Sequence, residues 1–164
     1  MKTSRMQMVA LPDMPMVRPG DDLAAQIADG LERAEERLQN GDVLVLAQKI
    51  VSKANNRIFD LRDVTPSPEA EALALEVDKD PRQVQLVLDE SVEVVGKVPG
   101  VLIVAHRLGI VMANAGIDAS NVEGSTEDVI LLLPDDPDGF CEELRAQLKQ
   151  RLGVDVGILI NDSF

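Results

Sequence analysis

The sequence predicts an α+β fold, with a mixed or antiparallel sheet and flanking helices, on three observations. Amphipathic helical stretches are interleaved with short apolar runs bounded by turn residues. Three helix starts pair a capping side chain with proline: Ser67-Pro68, Asp80-Pro81 and Asp136-Pro137. Two apolar runs flank a tight turn as a hairpin does. No internal repeat or low-complexity linker divides the 164 residues, which suit one domain with its own core.

In chain order, Pro12, Pro15 and Pro19 deny a helix to the stretch from Val9 to Pro19, which reads as an extended arm. A helix is predicted from Asp21 to Gln39, because Leu23, Ile27, Leu31, Ala34 and Leu38 share a face, with Asn40-Gly41 ending it. Val43 to Ala47 is wholly apolar and reads as a buried strand. Gln48 to Lys53 and the Asn55-Asn56 turn then read as a hairpin-like connection to an alternating strand, Arg57 to Leu61. Helices are predicted from Ser67 to Val77 and from Asp80 to Val95, where Val84, Val87, Leu88, Ser91 and Val95 align. Val101 to Ala105 and Gly109 to Ala113 flank His106-Arg107-Leu108 as a hairpin, and a loop follows. The last elements are a strand from Val129 to Leu133, a helix from Asp136 to Leu152 and a buried strand from Val154 to Ile160.

Composition narrows the function. Twenty-nine acidic against 16 basic residues give a net charge of -13, which repels polyanions, so nucleic acid is a poor partner. Aromatics are 2% of the chain, with neither Trp nor Tyr, leaving no platform for stacking bases. Phosphate substrates of so acidic a protein require divalent cations between carboxylates and phosphate oxygens. No apolar run approaches a membrane span, and the lone Cys141 suits a reducing cytoplasm. One cysteine and one histidine, His106, leave little material for zinc or for a Cys-His nucleophilic pair. His106 reads as solvated or structural in its turn, and Cys141 as packing.

Two carboxylates stand just beyond apolar strands, where mixed sheets display functional groups. Asp118 lies with Asn121 in the small-residue loop from Asn114 to Asn121, and Asp162 is followed by Ser163 at the end of the final strand. Oxygen ligands of this kind suit Mg²⁺ or Mn²⁺, while the bland alternative is a pair of Asx turns, far commoner than metal sites. Lys49 and Lys53, four residues apart after a strand in a cation-poor chain, suit phosphate oxygens. The alternative for them is a solvated pair on an exposed hairpin. No Walker loop or dinucleotide fingerprint is present.

Gly41 to Ala54, Asp80-Pro81-Arg82, Glu90-Ser91, Pro99 to Val104, the Asn114 to Asn121 loop, Leu131 to Pro134 and Gly157 to Phe164 are unusual segments in a definite order and spacing. In that order and spacing they resemble the coenzyme F-420-0:L-glutamate ligases. The resemblance implies an enzyme that spends GTP to phosphorylate a carboxylate of the deazaflavin F-420 precursor, giving an acyl phosphate that the amine of L-glutamate converts to an amide. It implies nucleotide contacts at Leu11, Pro12, Asp13, Met14, Gln48, Lys49, Lys53 and Asn121, and divalent-metal ligands at Asp118, Asp162 and Ser163. A homodimer, a further K⁺ and a cytoplasmic setting are implied on the same ground; no catalytic residue is assigned. In the family a Gly-Arg-rich segment, a further metal ligand and a glycine-rich loop follow the Asp-Ser/Thr pair, and none lies within residues 1–164. The expectation is therefore one domain, 1–164, resembling the family's amino-terminal part, with activity that requires the downstream segment. A non-catalytic binding or dimerisation module, or a related ligase acting on another carboxylate, are the other readings.

Overall fold

The computed structural model describes residues 6–118 and 128–162. The fold is α+β, as predicted, built among the described residues on three small sheets. The first is a parallel pair, β1 (Val43–Ala47) with β7 (Gly157–Asn161), in the register Val43 to Gly157 through Ala47 to Asn161. The second is the antiparallel pair β2 (Ile58–Asp60) with β6 (Val129–Leu131). The third is a meander of β3 (Ser91–Val98), β4 (Val101–His106) and β5 (Val111–Ala113).

Capping chemistry sets the helices. α1 (Leu23–Arg33) starts where the Asp22 carboxylate accepts from the Ala25 N–H at 2.9 Å. It stops well before the predicted Gln39. Glu35 takes a left-handed φ of 56°, territory usually left to glycine, and the N–H groups of Glu35 and Glu36 bond back to Glu32 and Leu31. That is a Schellman stop made without its customary glycine. α3 (Pro68–Val77) and α5 (Pro137–Leu152) match their predicted spans, capped by Ser67 and Asp136. α4 (Pro81–Asp89) ends six residues before Val95, since from Ser91 onward the chain pairs with β4 instead.

The largest correction concerns Gln48–Ala54, which forms a helix, α2, rather than a hairpin connection. β1 and β2 are thus not partners: the helix carries the chain from the β1–β7 sheet to the β2–β6 sheet. Ile50, Val51 and Ala54 lie along one side of α2 and pack on the core beside Leu23, Ile27, Leu31, Leu46, Leu144 and Leu148. A second core lies between α3–α4 and the inner face of the meander, around Val77, Val84, Leu102 and Val104; a third, around Leu61, Leu86, Ile130 and Leu132, backs the β2–β6 pair. Each fully buried Leu contributes about 1.5–3 kcal/mol of burial. β1 and β7, predicted to be buried, are covered on one face only: Val43, Val45 and Leu159 remain 61%, 57% and 47% exposed.

Candidate functional site

Of the chemistry-bearing side chains, Lys49 and Asp118 meet at the first turn of α2. The register that sets Ala47 beside Asn161 puts Asp162 immediately past the strand pair, next to the point where α2 begins. Asp118 arrives from another direction. Its backbone exchanges both hydrogen bonds with Leu131, at 3.0 and 2.9 Å, so β6 fixes its position. From there its carboxylate meets the Lys49 ammonium at 2.5 Å. Asp118 and Asp162 thus flank the first turn of one short helix.

The Lys49–Asp118 pair keeps side-chain exposures of 38% and 21%, so water screens it and its net worth to stability is about 0–1 kcal/mol. So weak a pair exchanges readily for another cation or anion. Lys53, one turn further along, is only 9% exposed, and Gln48 is 3% exposed. The Gln48 amide donates to Ser52 Oγ at 2.6 Å and to the Leu132 carbonyl at 3.4 Å, which ties α2 to the segment that follows Leu131, the partner of Asp118. The two lysines are therefore not a solvated pair on a hairpin.

Leu11, Pro12, Asp13 and Met14 belong to an arm held on α1. The Asp13 carbonyl accepts from Arg33, and Met14 Sδ lies 2.6 Å from where a Cβ on Gly30 would stand, so a larger residue there would displace it. Leu11 packs on the first core, and the Gly20 N–H closes the arm onto the Ala54 carbonyl at the far end of α2. Asn121 and Ser163 lie outside the described residues. Cys141 is partly buried on α5, and burial raises its thiol above the usual range.

Sequence reasoning missed a buried ionic cluster. Arg57, at the start of the β2 segment, donates from Nε to the Leu133 carbonyl at 2.9 Å and places its guanidinium 2.7 Å from Glu90 and 3.1 Å from Asp135. The Glu90 contact is short but misaligned as a hydrogen bond, so it acts as an ion pair. Arg107 pairs with the same two carboxylates at 3.1 and 2.5 Å. His106, only 1% exposed, is structural and not solvated: Nδ1 accepts from the Leu108 N–H, leaving Nε2 3.5 Å from Glu90. Burial lowers the His106 pKa; Glu90 acts against that shift, and Arg107 and Arg57 reinforce it. For Glu90 burial acts upward, but the guanidiniums of Arg57 and Arg107 prevail and its pKa is lowered. Nothing in residue order signals that these groups meet. Through Leu132 and Leu133 the cluster clamps the same strand that holds Asp118.

A cation bound between Asp118 and Asp162 fits the donor chemistry, since both supply oxygen. Among the described residues no three His, Cys, Asp or Glu side chains converge as a metal cage, so the remaining ligands would be water, substrate oxygens or residues beyond those described. A hollow of about 1010 Å³ between α5 and the opposite ends of β1 and β7 is a different place. Its cations Arg145 and Lys149 are both engaged by Asp155. No described helix is long and apolar enough to cross a membrane.

The sequence pattern of the family described as F420-0:gamma-glutamyl ligase matches residues 13–164. The chain belongs to that family. Three relatives, each named Coenzyme F420:L-glutamate ligase, show how far the family likeness extends. The protein of Methanopyrus kandleri is 44% identical over 147 residues, 90% of this chain and 55% of its own length. That of Methanothermobacter thermautotrophicus is 38% identical over 156 residues, 95% of this chain and 61% of its own. That of Archaeoglobus fulgidus is 40% identical over 159 residues, 97% of this chain and 60% of its own. The chain thus spans a little over half the length of these F420-ligase relatives.

Proposed function

We propose that this chain carries the nucleotide- and metal-handling part of a GTP- and divalent-metal-dependent ligase that adds L-glutamate to the coenzyme F420 precursor. The observation that carries the reading is the meeting of Lys49 and Asp118 at 2.5 Å beside the strand end that leads into Asp162, in a chain of this family. Lys49 and Lys53 pair with phosphate oxygens of GTP, while Gln48, Asn121 and the arm residues Leu11, Pro12, Asp13 and Met14 orient the nucleotide. Asp118, Asp162 and Ser163 would hold Mg²⁺ or Mn²⁺, which neutralises charge on the phosphates when bound. The γ-phosphoryl group passes to a carboxylate oxygen of the precursor and GDP leaves; the glutamate amine then attacks the acyl phosphate, forming the amide and expelling phosphate. The protein's contribution is positioning and charge neutralisation, the main needs of phosphoryl transfer. A cytoplasmic homodimer, with K⁺ as a further ion, completes the proposal.

The test supplies the chain, together with the part of the family's polypeptide that it does not match, with the precursor, GTP, Mn²⁺ and L-glutamate. Mass spectrometry is expected to find a glutamyl conjugate with one GDP and one phosphate per amide. Conjugate formed without GTP, or none with every component present, contradicts the reading.

A further inference from the structure

The β1–β7 pair is a parallel sheet of two strands with one face bare. Parallel sheets are almost always covered on both faces, and an isolated pair of strands is marginal in water. The inner face, with Leu44, Leu46, Ile158 and Ile160, packs on the first core. The outer face presents Val43, Val45 and Ala47 in register with Gly157, Leu159 and Asn161. None of these six is charged, although 27% of the chain is. An uncharged, regular face on so charged a protein is the mark of a covered surface.

The identity of what covers it follows from length. The three relatives match nearly all of this chain, yet the matched shares of 55%, 61% and 60% leave a large part of each relative outside the match. We propose that the outer face of the β1–β7 pair is the seat of that unmatched part of the family's polypeptide, which packs an apolar surface against Val43, Val45 and Leu159. The row of outward residues ends at Ala47 and Asn161, where α2 begins and Asp162 follows. An element seated there reaches the rim of the candidate site, and the covered face and the site are continuous. The other bare sheet face, on β3–β5, does not make the same demand: it is antiparallel, a type that tolerates water on one face, it carries Glu93, and register shifts interrupt it at Ser91/Glu93 and Val94/Gly96.

The test co-expresses this chain, tagged, with the residues of the Methanopyrus kandleri relative that lie outside its 147 matched residues. The two polypeptides are expected to co-purify in a one-to-one ratio. Val45→Glu combined with Leu159→Glu is expected to abolish recovery, while Val95→Glu on β3 leaves it unchanged. Thermal unfolding of each variant alone serves as the control for folding, since all three side chains are exposed. Three results overturn the proposal: no co-purification, recovery indifferent to the β1–β7 substitutions, or a dimer of this chain alone that those substitutions dissolve. No nucleotide or metal enters the experiment, so its failure leaves the ligase reading standing, and failure of the ligase reading leaves this proposal standing.

Discussion

Arg57 is the residue on which most of the buried electrostatics turn. Removing one member of a buried ion cluster leaves its partners' charges uncompensated, so Arg57→Ala is expected to cost about 3–5 kcal/mol, read by chemical denaturation. A cost below about 1 kcal/mol would mean that Glu90 and Arg107 rearrange without it. The same cluster predicts an acid-sensitive fold. His106 has a folded pKa lowered from 6.5, so both states are neutral above that value. Below it the unfolded chain takes up a proton that the folded chain resists, and stability falls until the folded pKa is passed. Glu90, lowered from 4.5, contributes stability that is present above that value and is lost as pH falls through its folded pKa. The melting temperature is therefore expected to decline from about pH 6.5 downward, and His106→Gln should remove the first part of that decline. At the site itself, Lys53→Ala is expected to weaken GTP binding by about 1.5–3 kcal/mol if its ammonium meets a phosphate, measured by calorimetry. Asp118, Asp162, Lys49 and Lys53 were singled out in the sequence because apolar strands ended near them, with Asx turns and a solvated lysine pair as the alternatives. Arg57, Glu90 and His106 were not legible as a cluster, since their chemistry comes from segments far apart in the chain.

Helices announced by Ser67-Pro68 and Asp136-Pro137 were placed correctly, because capping is local chemistry. Where tertiary contacts override the local signal, the reading failed. α1 ends at a glutamate in a left-handed conformation, and α4 gives way to β3 although Ser91 and Val95 continue its apolar face. α2 was misread because seven residues hold too few turns to show a helical period, and two asparagines after it mimic a hairpin turn. One prediction belongs to this scale. Gly30→Ala improves helix propensity by about 1 kcal/mol but drives a methyl group into Met14 Sδ, which lies 2.6 Å from the new atom. Little change in melting temperature is expected, together with faster hydrogen exchange in residues 11–14. Unaltered exchange there would show that the arm does not depend on α1.

Among the described residues, three small sheets are joined by a few segments, and the stretch that runs from β6 on to Leu133 ties several of them together. It pairs with β2, fixes Asp118, accepts from Gln48 and is clamped by Arg57. The sequence showed every strand except β3 and, of the pairings, the β4–β5 hairpin; parallel pairing of β1 with β7 spans most of the chain and leaves no local trace. The central claim is that carboxylates from two strand ends share a cation with a triphosphate. It is tested most directly by Mn²⁺-dependent GTP binding to the chain supplied with the part of the family's polypeptide that it does not match, and to its Asp118→Asn and Asp162→Asn variants in the same setting, followed by calorimetry and by the electron paramagnetic resonance of Mn²⁺. The account predicts that either substitution abolishes metal-dependent binding while the melting temperature holds. Undiminished binding in both variants would contradict it.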